Sequence, residues 1–400
     1  MSETSRPPFR PLEGIRVVDL TTNMSGPLAT MVLAEQGADV VKVEPVAGDL
    51  IRSVGTGRAG MSAYFANLNR GKRSIGIDLA TPAGRDLVLR LADGADVFVQ
   101  NFRPGVVERL GLDPDVVMPR NERLVYASIS GFGREGPLAG APAYDHVVQA
   151  LAGFCALQGD DDAASMVKQG VIDKATSYTT AQAITAALLQ RGRTGTGARI
   201  DVSMLDVALA YLWPDGMMNH TVVDAEKLLP PVARSFKVTP TADGFVALVT
   251  LTAPQWSALV AAIIDDGDGA EDLSDTATRM ARGADVMRDA RRRIATMTTA
   301  DVVSRLTRAD VPCAPVLALD ELHAHEQIVA SGAVVEVDHP IMGPIRQARP
   351  APVVDGVRPD LGAPAPAAGA HAHEILAELG VDDEELAALV NAGIVLAPPT

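Results

Sequence analysis

From Gly14 to about Leu205 the chain alternates short apolar runs with longer helical patterns, and this alternation restricts the fold more than any other feature. The runs beginning at Ile15, Ala38, Arg73, Ala95 and Arg123 have the length and β-branched content of strands, whereas Pro27–Glu35 and Ala83–Ala92 carry helical patterns. Strands separated by helices in this way imply right-handed βαβ crossovers and a mainly parallel sheet of buried aliphatic strands. The fold class expected is therefore α/β, with a large Rossmann-like domain whose ligands sit beyond the C-terminal strand ends. Loops at strand ends hold Thr21-Thr-Asn-Met-Ser-Gly-Pro27, Asn69-Arg-Gly-Lys-Arg-Ser74, Asn101-Phe-Arg-Pro-Gly105 and Gly131-Phe-Gly133.

Organisation changes after Trp213. Asp243-Gly244 between two strand-like runs signals a hairpin. It opens a smaller α+β domain that includes an acidic stretch, Asp265–Asp275, and an Arg-rich one, Arg288–Arg293. Both charge runs read as solvated faces. From about Gly343 the chain turns Pro/Ala-rich, which favours an extended segment, before Asp382 and Glu385 open a helix that Gly393 stops. The expected division is 1–215 for the large domain, 216–325 for the small one and 326–400 for a segment returning to the large domain.

With 400 residues the chain can build a deep, water-excluding site. Its formal charge of −15 argues against a nucleic-acid or anionic-membrane partner, so any bound anion needs a local basic cluster. Two cysteines are too few for a disulfide framework and suit a reducing cytoplasm. No apolar run approaches membrane-spanning length. The pairs His323/His325 and His371/His373 have neither helical-face spacing nor a third ligand, so no metal site is expected. Gly192-Arg-Thr-Gly-Thr-Gly197 has phosphate-loop composition but follows a helix and precedes a strand, the reverse of a phosphate loop, and reads as a helix cap and turn.

Two features remain. Arg70, Lys72 and Arg73, with Arg103 and Arg109 beyond, form basic clusters in an acidic protein. Such clusters are ordinarily solvated faces, although they suit a nucleotide-like anion. Asp173, between Ile172 and Lys174, would by spacing alone be a surface or N-cap residue.

The order Ser130-Gly-Phe-Gly-Arg-Glu-Gly-Pro137, Pro142-Ala-Tyr-Asp-His-Val-Val-Gln-Ala150 and Gly170-Val-Ile-Asp-Lys174 resembles the family III CoA transferases, over nearly the whole chain from Pro11 to Val395. That resemblance implies a coenzyme A thioester as substrate with no permanently bound cofactor, and Asp173 as nucleophile directly before a helix whose N-terminus would keep it ionised. It implies CoA contacts from Asn69, Arg70, Lys72, Asn101, Phe102, Arg103 and Arg109. Met24, Ser25, Tyr144 and Asp145 would line the acyl or pantetheine end, and amides around Gly131–Gly133 would serve the oxyanion. The implied reaction moves CoA from an acyl-CoA to a carboxylic acid acceptor by way of an aspartyl anhydride and an aspartyl-CoA thioester. It also implies an interlocked homodimer.

The related 2-methylacyl-CoA racemases carry His where this chain has Tyr144, and tyrosine, with an ordinary pKa near 10, is a poor base at neutral pH. His146 lies two helical positions on and faces elsewhere. Transferase is thus the leading expectation. A racemase-type proton transfer and a catalytically silent CoA-binding homologue are the alternatives. Met24, where formyl-CoA:oxalate transferases have Gln, and the lack of their glycine run after Trp213 argue against oxalate as acceptor and favour a more apolar acyl group.

Overall fold

The computed structural model describes residues 9–159, 163–226, 228–264 and 275–398. The chain divides into two compact units, Met1–Pro214 with Ser331–Thr400, and Asp215–Ala330. The second unit thus starts one residue earlier and ends five residues later than the expected 216–325.

The first unit is built on a seven-stranded sheet. Its parallel strands are β1 (Arg16–Asp19), β2 (Asp39–Glu44), β3 (Lys72–Ile77), β4 (Val97–Gln100), β5 (Val125–Ser130) and β6 (Ala198–Ser203), in the order β3-β2-β1-β4-β5-β6. A short strand, Val395–Leu396, pairs antiparallel with Ile77 and Gly76 on the outer edge of β3. Strand order reverses between β1 and β4, where Val17 pairs with Val97 and Asp19 with Val99. Chains leaving these two strands part in opposite directions and leave a crevice at their C-terminal ends.

Alternation along the strands explains both faces of the sheet. Val17, Val40, Val97, Val99, Val125 and Ala127 face one side, against Leu33 of α1 (Ser25–Glu35) and Ala181, Ile184 and Leu188 of the helix Val171–Thr194. Val18, Val41, Ile75, Phe98 and Tyr126 face the other, against Leu87 and Leu91 of the helix Pro82–Asp93 and Ile375 and Leu376 of the helix Ala372–Glu378. A sheet covered on both faces favours near-continuous apolar strands, as the middle of these runs shows, with the charged residues toward their ends.

A further helix, α2 (Ala63–Asn69), had no expectation attached. Ser62 caps it, its hydroxyl accepting from the Phe65 amide at 2.9 Å. The glycines at 192–197 do terminate a helix. It runs to Thr194, and Gly195, at φ +81°, donates its amide to Arg191 O. Asp382 caps the helix Asp383–Asn391 through the Glu385 amide at 2.8 Å. Residues 349–371, after a hairpin of Val334–His339 with Gly343–Ala348, have almost no regular structure.

The second unit carries a three-stranded antiparallel sheet with Phe245–Leu248 between Val238–Pro240 and Cys313–Pro315. The hairpin around Asp243-Gly244 is present, but with a four-residue connection, Thr241 N donating to Gly244 O. Asp243 instead holds the start of the helix Thr299–Arg308, accepting from the Thr299 amide and hydroxyl at 2.7 Å each. Of the acidic stretch at 265–275, only Asp275 is among the described residues; it caps the helix Thr276–Ile294.

Candidate active site

The crevice between β1 and β4 holds a cavity of about 400 Å³. Thr22, Asn23 and Ser25 reach it from the loop after β1, Asn101, Phe102, Arg103 and Pro104 from the loop after β4, and Ser130 and Gly131 from the end of β5. Tyr144 and Asp173 complete its polar lining. A second, largely apolar cavity of about 330 Å³ shares Thr22 and Phe102 with it and extends over Leu20, Val43, Val46, Ile77 and Leu79 at the ends of β1, β2 and β3.

Asp173 is the third residue of α4 (Val171–Thr194), so it lies inside the first turn and not ahead of it. Nor does the helix N-terminus hold its charge in the ordinary range. Burial pushes the carboxyl up to about 6, the neighbouring Asp145 carboxylate adds to that rise, and the Ser25 hydroxyl and His146 oppose it. Desolvation and a like charge together outweigh a dipole effect of this size. The result is a carboxylate ionised at neutral pH yet poorly solvated, which suits a nucleophile.

Asp145 behaves differently from expectation. It is buried at the start of α3 (Asp145–Leu151), and one carboxylate oxygen accepts from the amides of Ile172 and Asp173 at 2.8 and 2.9 Å, while the other accepts from Gln149 Nε2 at 2.5 Å. It therefore caps α4 from outside the helix instead of lining the cavity. Spacing along the chain conceals this role because 27 residues separate Asp145 from Ile172.

Met24 also turns inward. Its side chain is 9% exposed and packs with Leu28, Met31 and Phe65, and a Cβ added to Gly170 would stand 2.9 Å from its sulfur. Ser25 does face the cavity, and its carbonyl accepts from Ser177 Oγ at 2.7 Å, tying the loop to α4. Asn23, at φ +64°, makes the left-handed turn into α1. Gly26 is required beside it, since a Cβ there would lie 2.2 Å from Thr21 Cβ. Gly26→Ala is expected to destabilise by about 2 kcal/mol through overpacking, readable as a shifted urea midpoint at unchanged slope.

The expected CoA contacts divide. Phe102 and Arg103 line the cavity with Asp173, and Asn101 does too, but its side-chain amide is engaged by Thr22, accepting from the amide at 2.9 Å and donating to the carbonyl at 2.8 Å. Arg109 is exposed on the short helix Val106–Leu110 and lines neither cavity. Asn69, Arg70 and Lys72 are buried. Arg70 pairs with Glu35, and Lys72 Nζ donates to Asp19, Pro27 O and Asn69 at 2.9, 2.9 and 2.8 Å. This basic run, expected at the CoA phosphates, is interior here: Lys72 opens β3 opposite Val40, and its ammonium is held by Asp19, Pro27 and Asn69.

Of the glycine loop, Gly131 lines the cavity, whereas the Gly133 amide donates to Ser130 Oγ at 3.1 Å. The amides of Ser25 and Gly26 at the start of α1 have no acceptor among the described residues. Sequence reasoning passed over Tyr64, which is close enough for the Asp173, Asp145 and Asp49 charges, after its own burial, to raise its phenol pKa. Among the described residues there is no cluster of potential metal ligands and no helix long and apolar enough to cross a membrane.

Comparison with known proteins bears directly on this arrangement. A family model described as CoA-transferase family III matches residues 12–372. The succinate–glutarate CoA-transferase of Agrobacterium fabrum is 34% identical over 397 residues, covering 92% of this chain and 96% of that protein. The formyl-CoA:oxalate CoA-transferase of Shigella sonnei is 31% identical, covering 95% and 98%. Among solved structures, a CAIB/BAIF family protein from Brucella suis superposes with a TM-score of 0.80 at 30% identity, over 92% of this chain and 99% of that one.

Proposed function

The chain belongs to CoA-transferase family III, and from that premise we propose that it moves coenzyme A from an acyl-CoA thioester to a carboxylic acid with Asp173 as the covalent nucleophile. The observation that carries this reading is the Asp173 carboxyl, pushed to about 6 and set in the cavity at the switch point of the sheet.

An Asp173 oxygen attacks the thioester carbonyl, the carbon–sulfur bond breaks, and CoA leaves as thiolate with an acyl-aspartyl anhydride behind it. The thiolate then attacks Cγ of Asp173, releasing the donor carboxylate and forming an aspartyl-CoA thioester. The acceptor carboxylate displaces CoA from Cγ, and thiolate attack on the acyl carbon of the new anhydride yields the product thioester and restores Asp173. Each step exchanges one acyl bond for another, so the cycle is balanced without an external energy source. The free amides of Ser25 and Gly26 are the candidates to receive charge on the tetrahedral oxygens.

The paired cavities support a ligand bound across Thr22 and Phe102, its heteroaromatic end in the apolar cavity, its phosphates near Arg103 and its thioester toward Asp173. Arg103→Ala is accordingly expected to raise KM for acyl-CoA about tenfold with kcat little changed, since it removes binding that substrate and transition state share. In this reading two copies of the chain form an interlocked homodimer, and sedimentation velocity checks the dimer. The reading is tested by peptide mass spectrometry after incubation with a panel of acyl-CoA donors. An acyl or CoA adduct on Asp173 that hydroxylamine removes is expected. Tight CoA binding without any adduct across the panel would overturn it in favour of a silent binder, and solvent deuterium at the acyl α-carbon in favour of a racemase.

A further inference from the structure

We propose that Asp19, Lys42, Asp49 and Lys72 form a buried clamp that fixes the loop Thr21–Pro27 over Asp173, so that Lys72, the first residue of β3, positions the catalytic loop and does not bind CoA phosphate. All four side chains are essentially excluded from solvent, and with two carboxylates and two ammoniums the group is electroneutral, the condition under which buried charges persist.

Its bonds converge on the two ends of one loop. At the near end, Asp19 Oδ1 accepts from the Thr21 amide at 2.9 Å and hydroxyl at 2.5 Å, and Lys42 Nζ donates to Thr21 O at 2.8 Å and to Asp49 at 3.0 Å. At the far end, Lys72 Nζ donates to Pro27 O at 2.9 Å, and Asp19 Oδ2, which accepts from Lys72 at 2.9 Å, also takes the Thr30 hydroxyl of α1 at 2.6 Å. All three Lys72 protons are used within the protein. None is left for a phosphate. Charge balance agrees with the geometry. Burial pushes the Asp19 carboxyl up, but the two ammoniums and the Thr21 and Thr30 hydroxyls hold it down at about 2, while burial brings Lys72 down to about 8.

Between the clamped ends stand Asn23 in its left-handed turn, Ser25 against the Asp173 carboxyl, and the free amides of α1. That these groups serve catalysis rests on the reaction proposed above. The clamp itself does not.

The test compares Asp19→Asn and the milder Thr30→Val with wild type in two assays. Hydrogen exchange of the Thr21, Thr22 and Leu28 amides, which are hydrogen-bonded in the structure, should accelerate at least tenfold in Asp19→Asn and less in Thr30→Val, with the interior of α4 unchanged. The dissociation constant for free CoA should stay within about twofold of wild type, while the rate of Asp173 adduct formation at saturating donor falls at least tenfold. Unchanged exchange in the loop would overturn the clamp. So would a tenfold weaker affinity for CoA with an unchanged adduct rate, the result a phosphate contact gives. If wild type forms no adduct with any donor, the transferase reading falls, and the exchange result still decides the clamp.

Discussion

Asp173→Asn is expected to abolish CoA transfer and covalent labelling, with activity down by roughly 10⁴-fold or more, while making the protein more stable above pH 7. The two effects share one cause. A carboxyl with an ordinary value of 3.8 that is raised to about 6 holds its proton more tightly in the native state than in the unfolded chain. Below the unfolded value both states are protonated and the group contributes nothing. Between 3.8 and about 6 the unfolded chain ionises while the native carboxyl keeps its proton, so the penalty grows, and it reaches its full size of about 3 kcal/mol once pH exceeds about 6. Urea unfolding of wild type and Asp173→Asn should therefore coincide near pH 3, diverge between about pH 4 and 6, and stay apart by a constant amount above that. The same titration should appear in wild-type kcat/KM as a limb falling about tenfold per pH unit below 6, because only the ionised nucleophile attacks. A mutant no more stable than wild type at pH 8 would show that the carboxylate is solvated after all.

Asp145 gives the second large effect, and its two variants should behave differently. Asp145→Ala leaves the amides of Ile172 and Asp173 without their acceptor, with an expected loss of about 2 kcal/mol of stability and a fall of roughly 10- to 100-fold in kcat as the nucleophile loses its placement. Asp145→Asn retains an acceptor oxygen but removes the charge that helps raise Asp173. Its acidic limb in kcat/KM should move to lower pH, with most of the activity at pH 7 retained. An unmoved limb in Asp145→Asn would show that burial alone sets the Asp173 carboxyl.

How much of this could be read from residues alone follows from how local each signal is. Short apolar runs located the parallel strands to within two residues, because a sheet buried on both faces leaves a near-continuous apolar pattern. The reversed order of helix and strand around Gly192–Gly197 was likewise sufficient to read a helix end. Asp145 and Lys72 were expected at the ligand and are instead engaged with other parts of the protein, for a common reason. Each is a polar residue whose partners are distant in sequence, Ile172 and Asp173 for one and Asp19 for the other. A charged residue within a run gives no local sign of whether it faces solvent or a buried counter-charge. Asp173 stands out through a motif, yet its electrostatic state depends on burial and on a carboxylate brought in by α3, neither of which a motif encodes.

The short strand Val395–Leu396 along β3 has a consequence for how this protein is made. Its partner residues, Gly76 and Ile77, leave the ribosome more than 300 residues earlier, which at ~5–20 residues per second is a delay of tens of seconds. During that interval the outer edge of β3 offers unpaired amides and carbonyls to any passing strand. Asp215–Ala330, by contrast, is contiguous and can form its own core as it emerges. Synthesis thus favours a nascent chain with its inserted unit folded and its main sheet still open at one side until the closing strand arrives.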